Sequence, residues 1–429
     1  MTVEQIYKLF KKHSKVVTDS RNILQDCLFF ALKGDRFNGN KFAEEALEKG
    51  AAFAFVDEKE YQTTAKTIFV DNVLQTLQQL AHFHRIKLGI PVIGITGSNG
   101  KTTTKELISA VLSEKYQVTF TQGNLNNHIG VPLTLLSMNQ NTEIGVVEMG
   151  ANHPYEIGAL CAIADPDFGI ITNIGRAHLE GFGSFETIKK TKAELYDYLK
   201  KKGGTIFYNS DNPLLQELVG NYTKTVSYGR KSAEFTGEPV SSPPYLHAKV
   251  NFPKRALYLT TQLTGHYNFE NLMAAACIGS YFQIDPFKIQ AALKNYRPQN
   301  NRSQLIEKND LKIIMDAYNA NPTSMQASIE SFVSMFHSPY FLILGDMLEL
   351  GEQALKEHIS ILVQTKKHPI EAVFLVGPIF KKAAQNFPYF TFSDSDELCR
   401  YFVENPLKTG TVLIKGSRGI HLEKVLDYL

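Results

Sequence analysis

Cysteine is scarce in this chain. The four present, Cys27, Cys161, Cys277 and Cys399, lie far apart among apolar neighbours. No CxxC pair and no Cys/His ligand spacing occurs, so neither a zinc site nor a disulfide framework is indicated. Buried free thiols in a reducing compartment are the simple reading. An excess of one charge is also missing. The net charge is +2, and Lys and Arg are scattered. A nucleic-acid binder usually carries a basic stripe, so no nucleic-acid partner is expected. No apolar run reaches the length of a membrane span. Residues 1–15 are charged and read as an amphipathic helix, without the apolar core and cleavage site of a signal peptide. The expectation is a cytoplasmic protein with no membrane insertion. There is no internal repeat, no low-complexity tract and no surface signature of a partner protein, so a monomer is the default.

What is present reads as α/β. At roughly 100–200 residues per domain, 429 residues suggest several domains. Hydrophobic content of 43% and charged content of 21% are ordinary for a globular chain. Three stretches differ in character. Residues 1–89 hold apolar runs at 27–32 (CLFFAL) and 51–56 (AAFAFV) around a helical segment near 41–49. Residues 90–297 hold buried-strand candidates at 90–96, 144–149, 169–174 and 204–209, with helical spacing at 101–115 and 186–200. Residues 298–429 hold strand candidates at 312–317, 340–345, 371–376 and 411–415. Short apolar strands alternating with helices predict parallel sheets covered on both faces. The polar, Pro-rich piece 236–254 is expected to form irregular loops and short strands, and 295–302 reads as a linker.

Residues 94–104 read Gly-Ile-Thr-Gly-Ser-Asn-Gly-Lys-Thr-Thr-Thr, between an apolar strand and a helical pattern. Gly97 and Gly100 allow a tight turn that aims N–H groups at phosphate oxygens. The helix starting near Lys101 adds its positive end. Lys101 can reach the β- and γ-phosphates, and the Thr102 hydroxyl can ligate Mg²⁺. The strict P-loop pattern wants glycine at position 95, where this chain has Ile95, so the strict motif fails by spacing. Ser98, Asn99, Gly100 and Thr103 complete the expected ATP-binding loop. The loop alone specifies a nucleoside triphosphate and not the product.

The variant TGxNGKT resembles the ATP loop of the Mur ligases and of the related folylpolyglutamate synthases. Further segments resemble the MurF branch in particular. They are Asp19-Ser20-Arg21; Leu28 to Gly39; Gly123-Asn124-Leu125-Asn126-Asn127-His128-Ile129-Gly130; Val147-Glu148-Met149-Gly150-Ala151; and Asn173 to Glu180 (NIGRAHLE). In the last third, Asp316 to Met325 (DAYNANPTSM), Leu344 to Gly351 (LGDMLELG) and Lys415-Gly-Ser-Arg418 follow in family order. One departure is Tyr267, where the family often has His before Asn268.

The resemblance implies three domains: a UDP-sugar-binding domain over 1–89, a central P-loop parallel-sheet ATPase domain over 90–297, and a Rossmann-like C-terminal domain over 298–429. It implies ATP-dependent joining of D-alanyl-D-alanine to a UDP-N-acetylmuramoyl-tripeptide through an acyl phosphate, in peptidoglycan precursor synthesis. Two anions must meet in the first step, so cations have to hold them together. Thr102 and Glu148, which closes the strand IGVVE, fit one Mg²⁺, a hard ion that prefers oxygen. By resemblance His178 holds a second Mg²⁺. Lys192, picked from Lys189, Lys190 and Lys192 by the family's Lys-x-Glu-hydrophobic pattern, takes up CO₂ as a carbamate and becomes an anionic ligand. Lys101, Glu148, His178 and Lys192 are the expected catalytic set. Asn271 resembles the adenine contact. Arg302, with its planar fork, and Asp316, at the end of a strand, are expected to clamp phosphate and ribose. Since these two belong to the last stretch, ATP is expected between domains, where closure excludes water. Ser20, Arg21, Asn124, Asn126 and Asn127 are candidates for the UDP substrate, although an Asn run also reads as turn chemistry. Asn319, Asn321 and Ser324 are candidates for the dipeptide, and Asn321-Pro322 also reads as a helix start. Other ligases of the same fold, or an ATP-switched binding protein, are the competing readings. The latter does not need Glu148, His178 and Lys192 together.

Overall fold

The computed structural model describes residues 1–429 except 35–36, 241–242 and 299–300. Asp35 and Arg36 of the N-terminal motif, Ser241 and Ser242 of the Pro-rich piece, and Gln299 and Asn300 of the linker therefore lie outside the described residues.

Three sheets carry the fold. The first has four parallel strands in the order Lys15–Val17, Cys27–Phe30, Phe53–Val56, Thr67–Phe69. Ahead of it runs the helix Val3–Lys12, closed by a Thr2–Gln5 capping box and burying Ile6 and Phe10 one turn apart. The predicted amphipathic helix is thus present, shorter at both ends.

The central sheet has nine strands, and toward one edge it runs Phe168–Ile171, Val92–Thr96, Ile144–Glu148. Val92–Thr96 and Ile144–Glu148 are buried at every position, as parallel strands covered on both faces must be. From Val92–Thr96 the chain crosses to the edge strand Val118–Phe120, returns to Ile144–Glu148, and then passes to Phe168–Ile171 on the other side. Val92–Thr96 therefore marks a topological switch point, where open α/β sheets bind ligands. The short strands expected at 236–254 are present and are more regular than the piece's composition suggests. Phe235–Val240, His247–Phe252 and Arg255–Thr260 form a regular extension of this sheet, the last two antiparallel. Ala248, Val250 and Leu259 face the core, and an alternation of small and polar residues with prolines hid that pattern. The strand at 169–174 also ends early, at Ile171, which frees Thr172 to His178 as a loop.

The third sheet runs Gln304–Lys308, Asp310–Asp316, Thr409–Lys415, Tyr340–Gly345, Ala372–Val376, Phe390–Phe392, with only the first strand antiparallel. Asp316 and Lys415 end adjacent strands in register.

The helix Val73–Leu88 joins the first two units. Leu77 and Leu80 share one core with Ile6 and Phe10 and with Leu135 and Leu160 of the central unit. Arg85, 4% exposed, donates to Ala164 O at 3.1 Å and to Asp167 Oδ2 at 2.7 Å. Among the described residues, no helix is long and apolar enough to cross a membrane.

In the third unit His358 is fully buried. Its Nε2 accepts from Met347 N at 3.0 Å and its Nδ1 faces Ala354 O at 2.6 Å, so the ring is held neutral. Burial pushes its pKa from 6.5 down to about 4. With the folded value below the unfolded one, this contribution to stability is complete above pH 6.5 and drains as pH falls toward 4. Urea unfolding should show wild type losing about 2 kcal/mol more than His358→Gln between pH 7 and pH 5. Parallel pH curves for the two proteins would refute this.

Candidate active site

A cavity of about 1150 Å³ opens at the ends of the central strands, and its wall is shared by the second and third units. The phosphate loop forms its floor. Gly97 and Gly100 sit at φ +143° and +78°, conformations that glycine adopts without penalty. Gly100 caps the helix Lys101–Leu112, so this helix begins with its free N–H groups turned to the cavity. Ser98 N donates to Asn173 O, and Asn99 N to Asn173 Oδ1, which pins the loop to the segment after Phe168–Ile171. The Lys101 ammonium donates to Gly97 O at 2.7 Å and Ser98 O at 3.2 Å. Desolvation lowers its pKa, and the Glu148 charge opposes that shift.

Glu148 is 1% exposed at the end of its strand. Its Oε1 accepts from Asn126 Nδ2 at 2.8 Å and from Thr102 Oγ1 at 3.3 Å. Its Oε2 is buried without a hydrogen-bond partner, 4.0 Å from Lys105 Nζ. A buried carboxylate left short of partners costs several kcal/mol. The arrangement thus fits a hard cation. Among the described residues no three His, Cys, Asp or Glu side chains converge as a ready-made cage. Such an ion would have to complete its shell with phosphate oxygens and water, as Mg²⁺ commonly does.

Lys192 is 2% exposed and lies behind the cavity wall, its amine 3.5 Å from Ala151 O and 5.6 Å from the Phe182 ring centre. Burial first, then the Lys101 charge, lowers its pKa to about 7, against Glu156 and Glu194. Its sequence rivals are placed otherwise: Lys189 pairs with Glu217 at 2.8 Å, and Lys190 is exposed. His178 lines the cavity and meets Glu349 of the third unit through Nδ1.

The third unit supplies the opposite wall. Asp316 Oδ2 accepts from Lys415 Nζ at 2.6 Å, and the Arg302 guanidinium stacks 3.6 Å from the Tyr318 ring centre. Asn321 caps the helix Pro322–Met335 in a box with Ser324, and its Nδ2 donates to Asn99 Oδ1 at 2.7 Å. It therefore ties the phosphate loop to the third unit as well as starting a helix. Asn319 is exposed on the wall, with Oδ1 turned to Ala320 N. Asn271 accepts from Thr104 Oγ1 and donates to Asn268, directly against Gly100. Tyr267 lines the cavity and its hydroxyl meets Ser303 Oγ at 2.6 Å.

Not every predicted residue comes to this cavity. Ser20 is buried at the start of the helical turn Ser20–Asn22, and Arg21 is exposed in an ion pair with Asp19; neither is on the cavity wall. The Asn run does reach it: Asn124, Asn126 and Asn127 all line the cavity, while Asn127 also closes a turn by accepting from Ile129 N and Gly130 N and Asn126 anchors Glu148. The sequence reading missed Lys105, which is 1% exposed, and Asn173. The signal for Lys105 is its place one helical turn after Lys101, on the buried face.

Replacing Gly100 tests the loop. A Cβ would lie 2.6 Å from Asn271 Oδ1, and a left-handed non-glycine residue costs roughly 1–2 kcal/mol. Gly100→Ala should weaken ADP binding at least tenfold by calorimetry, with the fold retained. Undiminished binding would remove the loop from the nucleotide site.

Three family models match in order: Mur ligase family, catalytic domain, over residues 13–85; Mur ligase middle domain over 95–279; and Mur ligase, glutamate ligase domain, over 301–418. The UDP-N-acetylmuramoyl-tripeptide--D-alanyl-D-alanine ligase of Bacillus subtilis is 38% identical, covering 96% of this chain and 92% of its own. A crystal structure of MurF from Acinetobacter baumannii superposes with a TM-score of 0.90 at 26% identity, covering 99% of this chain and 98% of that one. MurF from Thermotoga maritima in complex with ADP gives 0.85 at 29% identity, covering 96% of each chain. With three units matched in sequence order and a like structure along the whole length, the chain belongs to the Mur ligase family.

Proposed function

We propose that this enzyme ligates D-alanyl-D-alanine to a UDP-N-acetylmuramoyl-tripeptide at the expense of ATP, in peptidoglycan precursor synthesis. The observation that carries the substrate assignment is the end-to-end likeness to the ligase of that name in Bacillus subtilis. The domain limits proposed are 1–89 for the UDP-sugar unit, 90–297 for the ATPase unit and 298–429 for the C-terminal unit.

In the first step a tripeptide carboxylate oxygen bonds to the γ-phosphorus while the bond to the β-bridging oxygen breaks, releasing ADP and leaving an acyl phosphate. The dipeptide amine then bonds to the acyl carbon, loses a proton, and inorganic phosphate departs. The chain's part is positioning and charge. The N–H groups of Gly100 to Thr103, on the loop that Ser98 and Asn99 complete, and the Lys101 ammonium receive the phosphates. Arg302, Asp316 and Asn271 hold the nucleoside end. ATP then lies between the second and third units, consistent with the wall they share. Thr102 and Glu148 would hold one Mg²⁺, and His178 with a carbamate on Lys192 would hold another; bound there, such ions would neutralise phosphate charge. The deep burial of Lys192, with Ala151 O as its one hydrogen-bond partner among the described residues, favours a neutral amine able to add CO₂. Asn124, Asn126 and Asn127, with Ser20 and Arg21 farther out, are assigned to the UDP substrate, and Asn319, Asn321 and Ser324 to the dipeptide. A cytoplasmic, monomeric enzyme is the accompanying expectation.

Phosphate release from ATP with UDP-muramoyl-tripeptide should require D-Ala-D-Ala and yield the pentapeptide nucleotide by mass. Turnover with a single amino acid instead would keep the family and overturn the substrate. With ¹³C-bicarbonate, wild type and Lys189→Ala should show a carbamate carbon by NMR that Lys192→Ala lacks, and Lys192→Ala should lose roughly 100-fold or more in kcat. A carbamate signal that persists in Lys192→Ala would move the modification elsewhere.

A further inference from the structure

The loop following Phe168–Ile171 is gripped by the third unit at several points. Arg176 N donates to Thr323 Oγ1 at 3.2 Å, and Arg176 Nη1 to Glu357 Oε1 at 3.1 Å. A Cβ on Gly175 would stand 3.1 Å from Thr323 Oγ1, so the Thr323 side chain packs closely on the Gly175 backbone. Glu180 N donates to Glu349 O at 3.2 Å. At the centre of this contact, the His178 Nδ1 is hydrogen-bonded to Glu349 Oε2. Both residues lie in the left-handed region, at φ +54° and +62°. Non-glycine residues are uncommon there and persist when their surroundings hold them.

An imidazole can present only one nitrogen as a metal ligand while the other donates. A carboxylate on the second nitrogen fixes the tautomer and the ring orientation and makes the ligand nitrogen more basic. His178 lines the cavity and Glu349 does not, so the carboxylate meets the ring from behind the wall. We propose that Glu349 is a positioning residue for the reaction: from the C-terminal unit it holds the His178 Nδ1–H and so leaves Nε2 as the ligand nitrogen. The central unit's metal ligand is then oriented only when the C-terminal unit is docked, which couples domain closure to cation binding. This rests on the reading of His178 as a metal ligand.

The test uses the full chain with a non-hydrolysable ATP analogue and UDP-muramoyl-tripeptide, titrated with Mn²⁺ and followed by electron paramagnetic resonance. Glu349→Gly removes the carboxylate while placing glycine at a φ that glycine prefers, so the fold is expected to survive, as a thermal melt checks. Glu349→Gln keeps an acceptor oxygen for the ring N–H. His178→Ala should lose one class of Mn²⁺ site. Glu349→Gly should weaken that same class roughly 10–100-fold, and Glu349→Gln should recover most of the affinity. If His178→Ala loses the site but Glu349→Gly binds Mn²⁺ as wild type does, the positioning role is overturned and the metal reading stands. Equal weakening by Gly and Gln also overturns it, because the retained acceptor then does nothing. If His178→Ala binds Mn²⁺ as wild type does, the metal reading itself falls.

Discussion

A carboxylate has been taken out of water beneath a phosphate loop, and much of the molecule is arranged around that fact. Glu148 ends a strand with no exposed position and is itself buried at the cavity's edge, so its carboxylate is largely withdrawn from water. Leaving it there costs several kcal/mol unless neighbours compensate. Asn126 and Thr102 satisfy one oxygen, and the Lys105 ammonium stands 4.0 Å from the other. Lys105 is itself buried, which lowers its pKa, while the Glu148 and Glu106 charges oppose that shift. The group is therefore balanced within a shell that a hard cation and triphosphate oxygens can join. A site built in this way gives strong electrostatics to a bound nucleotide, because the same low dielectric that penalises an unpaired charge strengthens a paired one.

The second constraint is that this shell belongs to one unit, while Arg302 and Asp316 on the facing cavity wall belong to another. Asn321 reaches Asn99 of the phosphate loop, Arg176 reaches Thr323 and Glu357, and His178 reaches Glu349. Each of these contacts joins the loop-bearing sheet to the third sheet. They concentrate at the cavity rim, where closure would shield an acyl phosphate from hydrolysis. Catalysis and docking therefore draw on the same few side chains.

The sequence made the strands around the loop legible because their burial is continuous. VIGIT and IGVVE read as fully covered parallel strands and are so. Lys192 was separable from Lys189 and Lys190 only through the family pattern; burial now distinguishes it physically. Where the sequence reads only coarsely, a local signal is ambiguous. The segment 235–260 mixes prolines, small residues and charges, so alternation across antiparallel partners was masked until the pairing was seen. Asn127 closes a turn and Asn126 anchors a carboxylate while both line the cavity, a double placement that one run of asparagine does not spell out. Lys105 was passed over because a lysine on a helix ordinarily marks the solvent face.

Glu349 shows the limit of local reading most clearly. Nothing in LGDMLELG distinguishes its glutamate from a surface one, and the side chain is half exposed. Its meaning comes from a partner 171 positions away, held by a different sheet. Residues that do chemistry announce themselves by type and position on a strand or loop, since phosphate, carboxylate and metal each demand particular atoms. Residues that couple two domains are chosen by where the domains meet, and that is a property of packing. A site assembled across an interface therefore reveals its reacting groups in one dimension and its coordination in three.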